Sequence, residues 1–101
     1  MAITTQQSAD LSTLTINVAG SLDLTQAQLF RDAYEKVIPR PNNFVVDLED
    51  TENFSLSSLN LLLDLRDYSG KNHDAVQITN CNTTIKKIFA ITQLQKEVNI
   101  H

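Results

Sequence analysis

The sequence predicts an α/β fold: a mixed sheet of four to five strands with helices packed on it, in the order β-β-α-β-α-β-α-β. Three observations predict it. Apolar and polar residues alternate over residues 14–18, the period of a half-buried strand. Over residues 27–38 and 59–68 the apolar residues recur at helical spacing instead. Strand-like and helix-like stretches then alternate along most of the chain, which implies parallel neighbours joined by right-handed crossovers.

In chain order, residues 2–8 read as a first, weaker strand, and Ala9-Asp10 as a hairpin turn. Leu14, Ile16 and Val18 form the inner face of the second strand, with Thr13, Thr15 and Asn17 on the outer. Gly20 breaks that pattern. Thr25 and Gln28 have the spacing of a capping box for the helix that follows. Its apolar stripe is Ala27, Phe30, Ala33, Tyr34, Val37 and Ile38. Asp32 and Lys36 pair on its wet side, and Pro39 and Pro41 stop it. Residues 44–48, Phe-Val-Val-Asp-Leu, are almost continuously apolar, as in a central strand covered on both faces. A second helix runs to about Tyr68 and ends at Gly70. Residues 75–79 are a further strand with Val76 and Ile78 inward. Residues 82–92 form a third helix, capped by Asn82 or Thr83 and striped with Ile85, Ile88 and Phe89. Residues 97–100 are a last edge strand.

The second helix is apolar on more than one side. At about 100° per residue, Leu56, Leu59, Leu62 and Leu63 share one face, and Leu61, Leu65 and Tyr68 lie roughly opposite. Two readings follow: neighbouring helices flank it on both sides, or part of the second stripe meets a partner protein.

Composition narrows the function. The chain has 101 residues, 42% of them hydrophobic, enough for one core in a single domain spanning 1–101. A net charge of −4 offers no basic field for nucleic acid or anionic lipid. No apolar run approaches a membrane span, and the N-terminus carries no signal-peptide pattern. The expectation is a soluble, cytoplasmic protein without membrane insertion. The sequons at Asn53 and Asn82 then carry no weight. Cys81 is the single cysteine, and a small structural residue is favoured over an acidified thiol. His73 and His101 are isolated, so no metal cluster is expected. Asp47, Glu49, Asp50 and Glu52 read as a solvated loop, with a Mg²⁺ site as the sharper alternative. The two glycines are far apart and make no phosphate loop. The prediction is no enzyme and no cofactor.

Residues 18–23, Val-Ala-Gly-Ser-Leu-Asp, resemble the apolar-x-Gly-x-Leu-Asp segment of the STAS family, the sulfate transporter and anti-sigma factor antagonist domain. Residues 45–48, Val-Val-Asp-Leu, resemble its central strand. Residues 82–94, NTTIKKIFAITQL, resemble its third helix. The resemblance covers nearly the whole chain. It implies a bacterial signal-transduction module that regulates transcription by partner switching. In such members the turn after the central strand reads Asp-Ser-Ser/Thr-Gly-Leu, and a partner kinase phosphorylates the first serine. Phosphate there adds close to two negative charges and disrupts a packed interface.

Laid on that motif without gaps, the Asp falls on Ser55, the acceptor serine on Leu56, the next Ser/Thr on Ser57 and the Gly on Ser58. The acceptor position is a leucine. Three readings are open for the serines. They are helix caps, with Ser55 at the N-cap and Ser58 at N3; or Ser57 is an offset phosphosite, with Ser55 and Ser58 the other candidates; or the chain is a member that cannot be switched. The resemblance places partner binding at Asp23, Leu24, Ser55, Leu56, Ser57, Ser58, Asn60 and Leu61. The implied partner is an anti-sigma factor or serine kinase, or a phosphatase. The alternative is an ABC ATPase, with this chain as the STAS subunit of a lipid-transport complex.

Overall fold

Alternation of apolar residues along the strands gives the sheet one buried face, and the helices close it. The computed structural model describes residues 2–70 and 73–101. Strands β1 (Ala2–Gln7) and β2 (Thr13–Leu22) form an antiparallel hairpin, with Ile3 opposite Val18 and Thr5 opposite Ile16. Strands β3 (Asn43–Asp47), β5 (Val76–Thr79) and β6 (Asn99–Ile100) follow β2 in parallel, so the sheet order is β1-β2-β3-β5-β6. This five-strand path is the predicted mixed sheet.

The structure adds one strand, β4 (Thr51–Phe54), paired in parallel with the far end of β2. Of the carboxylates read as a solvated loop, Asp47, Glu49, Asp50 and Glu52, only Glu49 and Asp50 lie in a turn, while Asp47 ends β3 and Glu52 belongs to β4. The anchors are Thr51 and Phe54, both buried, with two exposed residues between them. The buried Thr51 hydroxyl donates to the Val18 carbonyl at 2.7 Å. Gly20, at φ 89°, makes the left-handed break from which β2 changes register and pairs with β4.

Helices α1 (Ala27–Glu35), α2 (Leu59–Tyr68) and α3 (Thr83–Thr92) all contribute to one core. Phe30, Tyr34, Leu61, Leu62, Leu65, Ile85 and Phe89 meet the inward residues of the strands there. Phe44, Val46 and Leu48 are sealed, but Val45 and Asp47 are only half-buried. Two-sided cover of the central strand is therefore corrected: β3 sits in the middle of a sheet covered on one face.

Two further expectations change. The cap of the first helical segment is Asp23 with Gln26, not Thr25 with Gln28. The Asp23 carboxylate accepts from the Thr25 N–H at 2.9 Å, and the Asp23 N–H donates to Gln26 Oε1 at 2.9 Å. The segment opens with a tight turn, Leu24–Gln26, which starts the helical path early. Gln28 instead donates to Asp32, and the Asp32–Lys36 pair forms as read, at 3.5 Å. The second stripe of α2 is core, which excludes its use as a partner surface. Leu61 and Leu65 are sealed, and the Tyr68 ring packs tilted against Tyr34 and edge-on to Phe44, with Arg40 over it. Arg31 of α1 reaches Asp64 across one flank of α2 at 2.8 Å, and Arg66 pairs with Glu97 across the other. Flanking elements on both sides explain a helix apolar on more than one face.

Candidate partner-binding site

Two strands that run parallel and in register deliver the same device twice. Leu22 of β2 lies opposite Phe54 of β4. Each is followed by an extended capping residue, Asp23 or Ser55, and then by a tight turn that begins with leucine, Leu24–Gln26 or Leu56–Ser58. The Ser55 N–H donates to the Leu22 carbonyl at 3.1 Å, which holds the two turns together. Both leucines face solvent, Leu24 54% and Leu56 64% exposed. Covering a large exposed apolar side chain with a partner lowers the free energy.

Beneath the leucines lies a chain of hydroxyls. Ser58 is fully buried, and its hydroxyl donates to the Leu22 carbonyl. Ser55 Oγ lies 2.9 Å from Ser58 Oγ and 2.9 Å from Ser57 Oγ. A hydroxyl has one proton to give. Because Ser58 gives its own to Leu22, Ser55 donates to Ser58, and Ser57 donates to Ser55. The proton of Ser57 thus points inward. This corrects the capping expectation: Ser55 occupies the N-cap position, but its side chain makes no bond to a backbone N–H. The serines join the start of α2 to the end of β2 instead.

Of the eight partner-binding residues read from sequence, seven gather on this corner. Asp23, Leu24, Ser55, Leu56 and Ser57 form the two turns, Ser58 lies beneath them, and Asn60 is exposed on the first turn of α2. Leu61 is removed from the set, because it is only 1% exposed and belongs to the core. A groove of ≈ 290 Å³ continues from Asp23 and Ser55 to Thr84 and Ile88 of α3. Thr84 and Ile88 were missed as neighbours because the contact joins distant segments; the apolar stripe of α3 gave no sign of which strand end it would flank.

Other chemistry does not converge here. Among the described residues no group of three or more His, Cys, Asp or Glu side chains is placed to hold a metal ion. Asp47 is occupied with the Glu49 N–H and the Asn80 amide. Burial pushes the Cys81 thiol up, away from the acidified range. No helix among the described residues is long and apolar enough to cross a membrane.

Fold and corner together define a small α/β domain that presents an apolar knuckle on paired strand ends. The chain belongs to the STAS domain family: the family described as "Mlab, STAS domain" matches residues 5–100. A STAS-domain containing protein of Pseudomonas aeruginosa (strain UCBPP-PA14) is 41% identical over 96 residues, 95% of each chain. Among solved structures, an anti-sigma factor antagonist from Mycobacterium paratuberculosis superposes with a TM-score of 0.79 at 21% identity, covering 99% of this chain and 86% of the other. The anti-sigma factor antagonist SpoIIAA in its unphosphorylated form gives 0.75 at 17% identity, covering 99% and 87%. At these identities the structural likeness speaks for the fold alone, and the predicted STAS-like α/β architecture is the one observed.

Proposed function

We propose that this protein is a non-enzymatic regulatory module that binds a protein partner through the Leu24–Leu56 corner and works without a serine phosphoswitch. The observation that carries it is Leu56. It sits at the place where the family resemblance puts the phosphate acceptor, it is 64% exposed, and it offers no hydroxyl. The nearby serines are poor substitutes. Ser58 is sealed, and the protons of Ser55 and Ser57 are directed inward, away from any base that a partner kinase would bring. The partner in this reading is an anti-sigma factor or serine kinase type of protein, or the opposing phosphatase, in transcription control in the bacterial cytoplasm.

A second reading is favoured by the same leucine. A structural subunit needs no acceptor, so the chain also fits the STAS subunit of an ABC-type lipid-transport complex. One experiment tests both. Tagged wild type, Leu56→Asp and Leu56→Ser are captured side by side from the native cell, with phosphopeptide mass spectrometry on each. The expected result is a partner held by wild type and lost with Leu56→Asp, and no phosphate on Ser55, Ser57 or Ser58. Phosphate on Ser57 of wild type would overturn the switchless reading. Undiminished capture by Leu56→Asp would overturn the surface. A histidine-kinase-like ATPase in the capture selects the first partner class, and an ABC ATPase the second.

A further inference from the structure

A cavity of ≈ 370 Å³ opens between α2 and the connection from α3 to β6. Leu59, Leu63 and Arg66 line it from α2, and Leu94, Lys96 and Glu97 line it from the connection. Its volume lies in the range of small-ligand sites. Leu24 and Leu56 are not on its lining, so it is separate from the partner corner.

The sequence builds this space at the end of α3. Gln93 stands in the left-handed region at φ 58° and turns the chain out of the helix. A tight turn, Leu94–Lys96, follows, and Glu97 then reaches α2 through its ion pair with Arg66. Leu94 is sealed at 3% exposure. Leu59 and Leu63 share one face of α2, one turn apart, and both are only half-buried. An apolar body placed against them removes that surface from water.

The polar lining has one donor that the fold does not use. A guanidinium has five N–H groups to place and accepts nothing. Arg66 Nη1 meets Glu97 and Nη2 meets Asp67. Arg66 Nε is buried without a hydrogen-bond partner, and no other buried side-chain nitrogen or oxygen among the described residues is left so. A buried donor without an acceptor is costly to the fold. Thr92 also lines the cavity, but its proton goes to the Ile88 and Phe89 carbonyls.

Charge decides the sign of a ligand. The lining carries two cations, Arg66 and Lys96, against one carboxylate, Glu97, in a chain of net charge −4. The carbonyls at the end of α3 would oppose an anion, but those of Phe89 and Ala90 already accept from the Gln93 N–H. Carboxylate is the head that suits a guanidinium, whose planar N–H groups match its two oxygens.

We propose that this cavity binds a small aliphatic carboxylate, with its apolar body against Leu59, Leu63 and Leu94 and its oxygens accepting from Arg66 Nε and Lys96 Nζ. This site goes beyond the proposed function and does not rest on it.

The test is NMR titration of the full chain at neutral pH with hexanoate. Acetate, which has the head alone, and 1-hexanol, which has the tail alone, are titrated in parallel. The expected result is that hexanoate shifts the Leu59, Leu63 and Leu94 methyls and the Arg66 Nε–H saturably. Half-saturation should come at or below about 10 mM, as suits so small a ligand. Acetate and 1-hexanol should not saturate over the same range. Lys96→Glu reverses an exposed charge, and Arg66→Lys keeps the charge but removes the Nε–H. Each should raise the half-saturation concentration at least about fivefold, with circular dichroism unchanged. Lys96→Glu keeps the test decisive if Arg66→Lys disturbs α2. The absence of saturable hexanoate shifts at these groups overturns the proposal. So does equal binding of acetate or 1-hexanol, or hexanoate binding left unchanged by either folded variant. None of these outcomes touches the partner capture with Leu56→Asp, so the two readings stand or fall separately.

Discussion

The buried hydroxyl of Ser58 donates to the carbonyl of Leu22, tying the start of α2 to the end of β2. That carbonyl also receives the Ser55 N–H. One oxygen thus holds both the capping residue and the first turn of the second helix. Removing the Ser58 hydroxyl deprives the carbonyl of one donor and leaves Ser55 without its acceptor. Ser58→Ala should lower stability by about 1–3 kcal/mol, the cost of leaving buried polar groups unsatisfied. Urea unfolding checks this. An unchanged midpoint would show that the hydroxyl chain contributes nothing to the fold.

Leu56 and Leu61 separate surface from core. They lie five positions apart on one helical segment, yet one is 64% and the other 1% exposed. Leu61→Ala should cost about 2–5 kcal/mol, the range for emptying a leucine site in a packed core. Leu56→Ala should change stability by no more than about 0.5 kcal/mol, as surface changes do. The pair is read by chemical denaturation, and the partner capture is repeated only on variants that fold. Loss of binding with full stability at Leu56, against loss of stability at Leu61, is the expected split.

Most of the fold was legible because strands and helices announce themselves by period. Leu14-Ile16-Val18 alternates, and the α1 stripe repeats at helical spacing, whatever surrounds them. What was not legible depends on neighbours. The sequence of β3 reads as covered on both faces, but Val45 is apolar and still half-exposed. Side-chain type alone does not say that no helix lies on that side. Strand β4 was hidden because its middle residues, Glu52 and Asn53, are exposed and polar. Its buried ends are held by contacts with β2 more than thirty residues away in sequence. The candidate corner was found through Leu56 and its register against the family motif. The pairing of Leu24 with Leu56 follows from the Leu22–Phe54 register, which no local pattern encodes. Leu61 was misassigned because a leucine-rich helix does not reveal which of its faces looks inward.

Cys81 should be slow to react. It is 8% exposed, and burial raises its pKa above the ordinary thiol value, despite a nearby Lys86 that acts the other way. Thiolate is the reactive form, so native protein should modify with iodoacetamide at least tenfold more slowly than protein in denaturant. Mass spectrometry of timed samples reads the rate. Modification at the denatured rate would mean the β5–α3 connection opens freely.

The two ends of the pH range act through different groups. His73 places Nδ1 3.0 Å from Asp74 Oδ1 and Nε2 2.8 Å from the Gln95 carbonyl. Only the protonated ring can donate to both acceptors. The hydrogen bond to Asp74, then that to Gln95, raises its pKa above 6.5. A raised value in the folded state means the contribution is present in full below the unfolded value and is lost as pH climbs through the folded one. Melting temperature should therefore decline from near pH 6.5 upward, and the decline should flatten in His73→Gln. Asp10 has the opposite sign. The Ser8 hydroxyl first, then the Ser12 backbone and hydroxyl, lower its pKa from 3.8 to about 2. Its contribution is present above pH 3.8 and is lost as pH falls through about 2. Both groups are solvent-exposed, so both effects should be small and should shrink with salt. NMR titration reads each group directly: the His73 ring protons should titrate above those of a histidine in denatured chain, and the Asp10 carboxyl carbon below that of a free aspartate. A His73 midpoint at or below 6.5 would show that the bonds to Asp74 and to the Gln95 carbonyl do not hold in solution.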